Sequence, residues 1–167
     1  MGEAAAVAGQ NLGAGRPDRA DAAVHMAARF GLAGAALIEC FFLFFPQQLL
    51  AVFGMREPAV VEIGVQLLRV LSVSGLFIAV ALTYTGGLQG TVDTKSPLYI
   101  SIVSQIIVPL GICFVVRQTS RLDPIDIWIA ILVGHATRCA MSVIRFRQGK
   151  WRNIAVDIEQ KATKGAS

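Results

Sequence analysis

Charge is scarce in this chain. Lys, Arg, Asp and Glu make up 16% of its 167 residues, while hydrophobic residues make up 54%; soluble domains run nearer a quarter charged. Mean hydropathy is +0.61, and the apolar residues are gathered into blocks, which excludes an ordinary soluble domain and points to a membrane protein. Histidine is limited to two residues and cysteine to three. Cys40, Cys113 and Cys139 stand in apolar stretches without CxxC spacing. That excludes a disulfide framework or a structural metal site, and they read as buried small hydrophobes. No Ser-His-Asp order, paired catalytic carboxylates or HExxH is present, so neither an enzyme nor a bound cofactor is expected. The net charge is +4, but the cations gather toward the two ends of the chain rather than in a patch, which argues against a nucleic-acid partner. "MGEAAAVAG" places an acid where a secretory signal carries a basic region, and it lacks the Ser or Thr of a myristoylation signal.

What is present is length of apolar run. Four segments reach the roughly 20 residues a bilayer span requires: 22–45, 60–84, 98–116 and 125–146. The third, "LYISIVSQIIVPLGICFVV", carries no charge. Short alternating segments of a membrane barrel are missing, and backbone groups in lipid must be satisfied within their own segment, so the spans are helices. The fold class expected is an all-α membrane protein, four spans plus a partial N-terminal helix over 1–14. Fourteen helical residues reach only about 21 Å against a hydrocarbon core of about 30 Å, so 1–14 reads as the inner part of a fifth helix whose outer part is absent. Pro46 stops the first span, and Pro58, Pro97 and Pro124 stand at or just before helix starts, where a missing N–H costs nothing.

Orientation follows from the cations. With the C-terminus in the cytoplasm, the inner segments hold Arg16, Arg19, Arg29, Lys95, Arg145, Arg147, Lys150, Arg152, Lys161 and Lys164, and the outer loops only Arg56, Arg117 and Arg121. That asymmetry satisfies the positive-inside rule. It places residues 151–167 as a cytoplasmic basic tail, in a multi-pass protein of the cell (inner) membrane. Trp128 and Trp151 fall where interfacial anchors belong.

Two glycine clusters stand at inner helix ends. "GQNLGAGR" is not a Walker loop, because Ala14-Gly15-Arg16 stands where Gly-Lys-Ser/Thr is needed, and no strand precedes it for a dinucleotide loop. Gly9, Gln10 and Gly13 instead offer GxxxG spacing for close helix packing, with Gly15 closing the helix and Pro17 preventing its continuation. Gly86, Gln89 and Gly90 repeat the style at the end of the second span.

"GQNLGAGRPDRA", "GGLQGTVDTKSPLYI" and "RFRQGKWRNIAV" together resemble the C-terminal lobe of multidrug and toxic compound extrusion (MATE) transporters, over essentially the whole chain and in the right order. The resemblance implies a partial helix eight followed by helices nine to twelve of a twelve-helix protein. It implies exchange of Na+ or H+ for drugs, small organic cations or metabolites by alternating access. Partners would be the lipid bilayer and the transporter's missing N-terminal helices. Val92 stands where a "GTGDTK" pattern carries glycine, and no acid lies near Ile78, where some members carry a cation-binding one. The alternatives are a truncated membrane fragment that does not transport, or a lipid-linked oligosaccharide flippase-like member of the superfamily. The latter would want a more cationic cavity than Arg69 and Arg138 provide.

Ionisable groups inside spans are functional candidates by default. Glu39 and Arg69 lie at comparable distances from the outer ends of their helices, which predicts an ion pair or a coupling site. Pro109 cannot donate to the carbonyl of Gln105, which predicts a kink and a polar spot with Ser101 and Ser104. Ser72, Ser74, Thr83 and Tyr84 scatter polar groups along the second span. Glu39, Arg69, Ser74, Tyr84 and Gln105 are thus the candidate cavity and coupling residues. His135 and Arg138, one turn apart in the last span, are read as a helix-bonding imidazole and a snorkelling cation.

Overall fold

The computed structural model describes residues 2–91, 93–119 and 121–152. They form α1 (Gly2–Gly13), α2 (Pro17–Phe44), α3 (Pro46–Val52), α4 (Pro58–Gly90), α5 (Lys95–Ile102), α6 (Val108–Thr119) and α7 (Pro124–Arg147), with a π-helical stretch, Val103–Ile107, between α5 and α6. No strand occurs among the described residues, and the protein is an all-α bundle. Val92 and the tail from 153 onward, with Lys161 and Lys164, lie outside the described residues.

α2, α4, the continuous Lys95–Thr119 helix and α7 are each long and apolar enough to cross a membrane. No more than 17% of any of their most apolar stretches is buried inside the protein. Phe30, Leu37 and Phe44 are each more than two-thirds exposed. Apolar surface on this scale has no stable home in water, so lipid is the solvent and the chain is a multi-pass membrane protein. Cys40 belongs to that surface: it is exposed rather than buried, while Cys113 and Cys139 are partly covered and all three are free.

Proline chiefly starts helices here. Pro17, Pro46, Pro58 and Pro124 each open a helix, where the ring supplies a helical φ and the absent N–H is no loss. Hydropathy alone puts the first span at 22–45; α2 begins five residues earlier, at Pro17. Pro46, expected only as a stop, also opens the short α3. Hydropathy bounds the second span at residue 84, yet α4 continues through Gly86 and Gly87 to Gly90. α1 closes as expected through a Schellman turn, with Arg16 N–H donating to Asn11 O at 2.9 Å and Gly15 N–H to Leu12 O at 2.9 Å. Gly15 sits at φ 69°, the left-handed conformation this cap requires. A reciprocal Asp123–Asp126 capping box opens α7.

α2 and α4 run antiparallel, and glycines set their register. Gly31 faces Thr83, Gly75 faces Glu39, Gly87 faces Val24, and further along α4 Gly64 faces Leu50 of α3. α4 therefore extends beyond the end of α2, and α3 covers the overhang. α1 crosses α4 backbone to backbone: a Cβ on Gly9 would lie 2.9 Å from Gly90 O. The small pair that makes this crossing is Ala5 and Gly9, not Gly9 and Gly13, because Gly13 faces open space.

The predicted kink at Pro109 takes the form of the π stretch. Val108 N–H donates to Val103 O, one residue further back than in an α-helix. The extra residue absorbs the misfit that proline introduces. Gly134 of α7 lies against this place, and a Cβ there would be 2.5 Å from Ser104 O and 2.9 Å from Pro109 Cγ.

The tightest core lies where α1, α2, α4 and α7 converge. Ala8, Ala20, Val24, Ala28, Tyr84, Leu88, Phe146 and Trp151 form it. Trp151, expected as an interfacial anchor, is completely buried. Gly149, at φ 67°, turns the chain back after α7 so that the indole stacks on Phe146 at 5.0 Å and donates to Phe146 O at 2.9 Å.

Candidate functional site

One end of the bundle, the basic end, holds the α1–α2 turn, the α4–α5 turn and the C-terminus of α7, with Arg16, Arg19, Lys95, Arg145, Arg147, Lys150 and Arg152. Just inside it, His25 lies on α2 one turn after Asp21. Its Nδ1 is 2.7 Å from the Tyr84 hydroxyl of α4, and its Nε2 is 3.6 Å from Asp21 Oδ2. The imidazole also meets the rings of Tyr84 and Phe146 edge-on, at 5.5 and 5.8 Å. Carboxylate, imidazole and phenol thus lie in sequence from the partly exposed Asp21 into the buried core, the imidazole bonded to the phenol and within ion-pair range of the carboxylate. Arg152 fastens its outer end, reaching Asp18 at 3.3 Å and Asp21 at 3.6 Å, with its guanidinium 5.4 Å from the Trp151 ring centre. A small cavity of about 390 Å³ opens beside it between His25, Met26, Arg29 and Arg147.

Asp93 makes a second polar anchor at the same end. It is 5% exposed and accepts from Arg145 Nη2 at 3.0 Å and Nε at 3.2 Å. It also accepts from Ser96 N–H at 3.2 Å and Ser96 Oγ at 2.8 Å. Asp93 thus does more than close the α4–α5 turn: it ties that turn to α7.

Deeper in the bundle, Gln105 Nε2 is 3.4 Å from His135 Nδ1, so the π stretch and α7 are joined through the imidazole. Thr85 Oγ1 and Ser142 Oγ, 3.3 Å apart, join α4 to α7. Ser74 is buried, and its hydroxyl donates to Val70 O at 3.0 Å within its own helix. Ser104 is also buried and donates to Ile100 O at 2.6 Å.

The Glu39–Arg69 pair does not form. Glu39 rests on Gly75, where a Cβ would displace its carboxylate, and the α2–α4 register puts Arg69 level with the end of α2. Six helical residues separate Gly75 from Arg69, about 9 Å along the axis. Counting inward from each helix end fails because the α3-covered overhang lengthens α4 alone. Arg69 is exposed and lines an open groove of about 720 Å³ with Gln47, Arg56, Glu62 and Gln66.

The five candidates are therefore spread along the bundle: Tyr84 at the basic end, Gln105 within the π stretch, Ser74 and Glu39 further along α4 and α2, and Arg69 toward the opposite end. Of the helix-packing set, Gly9 and Gly90 meet, Gly86 is buried, and Gln10, Gly13 and Gln89 are exposed. His25 and Asp21 were not among the candidates. Their spacing of four was a visible signal of a shared helix face, but Tyr84 lies 59 residues away and only packing reveals it.

A family model, MatE, matches residues 4–115. "Multidrug resistance protein MdtK" of Pectobacterium atrosepticum is 30% identical over 145 residues, 83% of this chain and 31% of that protein. "Probable multidrug resistance protein NorM" of Thermotoga maritima is 28% identical over 112 residues, 67% of this chain and 24% of that protein. The protein of that same name in Acinetobacter baylyi is 23% identical over 120 residues. The chain spans about a quarter to a third of the length of these relatives.

Proposed function

Because the chain belongs to the MatE family, we propose that it forms the C-terminal part of a cation-coupled efflux antiporter that exports drugs or metabolites by alternating access. The observation that carries this reading is the family match across α1 to α6, with relatives named for multidrug resistance. Chemistry on the cargo is not required; the protein moves it, and is read as a transporter rather than an enzyme. Its partners are the bilayer, further helices of the transporter and small organic cations or drugs.

Two groups inside the spans are suited to coupling. The Asp21–His25–Tyr84 group offers an imidazole between a phenol and a carboxylate, a set of side chains that can accept and donate a proton. Glu39, half-buried on Gly75, offers a carboxylate that would bind Na+ or H+. Everted vesicles test the reading, carrying the chain alone or together with the preceding helices of a MatE relative. Ethidium efflux driven by a pH or Na+ gradient is expected on co-expression, and is expected to fall at least tenfold in Glu39→Gln or His25→Ala. Absence of gradient-driven efflux in every combination would leave a membrane fragment that does not transport. Tyr84→Phe keeps the ring packed on Phe146, at 5.4 Å, and removes one hydrogen bond. It is expected to lower stability by about 1 kcal/mol, read from unfolding in mixed micelles.

The basic end is the cytoplasmic end in this reading, because cations accumulate there, and the membrane is the cell (inner) membrane. A green fluorescent protein fused after Ser167 is expected to fluoresce, and alkaline phosphatase at the same place to stay inactive. The opposite pair of results would invert the topology.

A further inference from the structure

Arg138 differs from Arg145 and Arg152 in having no carboxylate partner among the described residues, although Arg152 also has a buried Nε without an acceptor. Arg145 is paired with Asp93, and Arg152 with Asp18 and Asp21. Arg138 makes no ion pair among the described residues, and its Nε is buried without a hydrogen-bond acceptor. It lies seven residues before Arg145 in α7, about 10 Å deeper in the bundle. A half-buried guanidinium inside a span, with its Nε shut off from solvent and no counter-charge beside it, is costly and calls for an acceptor.

The surroundings of Arg138 supply the rest of a site. Its side chain lines a cavity of about 470 Å³ between α4, α5 and α7, shared with Thr85, Gln89, Thr94, Lys95 and Ser101. Among the described residues, no Asp or Glu lines this cavity. Thr85 donates its own proton to Ala81 O, which leaves the Gln89 amide, the Lys95 ammonium and the hydroxyls of Thr94 and Ser101 as donors. Two cations and several neutral donors, with no carboxylate, select against an organic cation and for an oxyanion. The guanidinium fork matches two oxygens of a phosphate at once.

We propose that this cavity binds a phosphate oxyanion, held between Arg138 and Lys95. The site is independent of the efflux reading, since neither residue belongs to the coupling groups above. Basic pockets between spans at a cytoplasmic face commonly take anionic headgroups, and a free phosphate offers the same oxygens. Lys95 is exposed at the mouth and attracts the anion, while Arg138 fixes it.

Two arms separate the sources. In the first, the full chain is purified from phosphatidylcholine vesicles containing phosphatidylglycerol, and bound lipid is counted by native mass spectrometry. In the second, the chain in neutral detergent is heated with rising inorganic phosphate, against chloride at matched ionic strength. A headgroup site is expected to retain phosphatidylglycerol at least tenfold over phosphatidylcholine. A free-phosphate site would instead raise the melting temperature by several degrees without lipid preference. Either effect must vanish in Arg138→Gln and weaken in Lys95→Gln, and must survive in Arg117→Gln, an exposed cation at the opposite end. Lys95→Gln touches only an exposed side chain, so it remains informative if Arg138→Gln does not fold. Equal lipid retention with no phosphate protection, or effects indifferent to both residues, would overturn the site.

Discussion

Replacing Gly90 by leucine is expected to pull α1 away from α4 and to cost at least the 1–3 kcal/mol, about, that overpacking usually costs. A Cβ on Gly90 would sit 2.7 Å from both Cα and C of Ala5. Those are backbone atoms of a helix, so no rotamer change relieves the clash and one helix must move as a whole. The crossing is equally tight from the other side, through Gly9 and Gly90 O. Small residues at such crossings are what let membrane helices associate. Two controls separate this from a general penalty on losing glycine. Gly13→Ala meets nothing within 4 Å and is expected to be neutral or stabilising by a few tenths of a kcal/mol, as alanine favours the helix. Gly75→Ala meets the end of the Glu39 side chain, which can swing aside, so its cost should fall between the two. Unfolding in mixed micelles gives the order, and trypsin cleavage after Arg19 reports release of α1. Equal losses at Gly90 and Gly13 would refute the crossing.

The four spans were legible because lipid imposes one requirement, a long apolar run, and hydropathy reads that directly. Their ends were less legible. The Gly86–Gly90 stretch looks like a terminus, but glycine continues α4 there because α1 and Val24 pack against the bare backbone. α3 was hidden because Pro46 is read as a stop, and a proline at the first helical position is also a start. Register is where the sequence runs out. Whether Glu39 meets Arg69 or Gly75 depends on how far α4 overhangs α2, and seven residues of α3 decide it. Trp151 makes the same point at the chain's basic end: its hydropathy and position suit an interfacial anchor, and only the left-handed turn at Gly149 sends it into the core. Within the candidate site, Tyr84 was visible as a polar group in a span, while its partners required the fold.

The pairing of Asp93 with Arg145 predicts unequal losses from its two halves. Arg145→Gln leaves a carboxylate whose side chain is 5% exposed, with Ser96 as its remaining donor among the described residues. Removing one partner of a buried pair costs about 3–5 kcal/mol, because the other charge remains without compensation. Asp93→Asn leaves Arg145 in a different position. Its side chain is 27% exposed, it already lies 3.5 Å from Gln148 Oε1, and its head can reach water or headgroups. Asparagine also keeps an oxygen for Ser96, so about 1–3 kcal/mol is expected there. The double variant should lose less than the two single losses combined, since neither charge is then stranded. Unfolding in mixed micelles measures all four corners of the cycle. Equal single losses, or strict additivity, would show that the pair behaves like an exposed surface bridge. The consequence for transport follows from place. Asp93 sits in the turn between α4 and α5, and Arg145 in the last turns of α7, so their bond makes these helices move together. In the alternating-access reading proposed above, packed bundles rock as bodies, and this bond would join α4, α5 and α7 into one such body at the basic end. Arg145→Gln should therefore lower gradient-driven efflux even in samples where the folded fraction has been restored by lowering temperature.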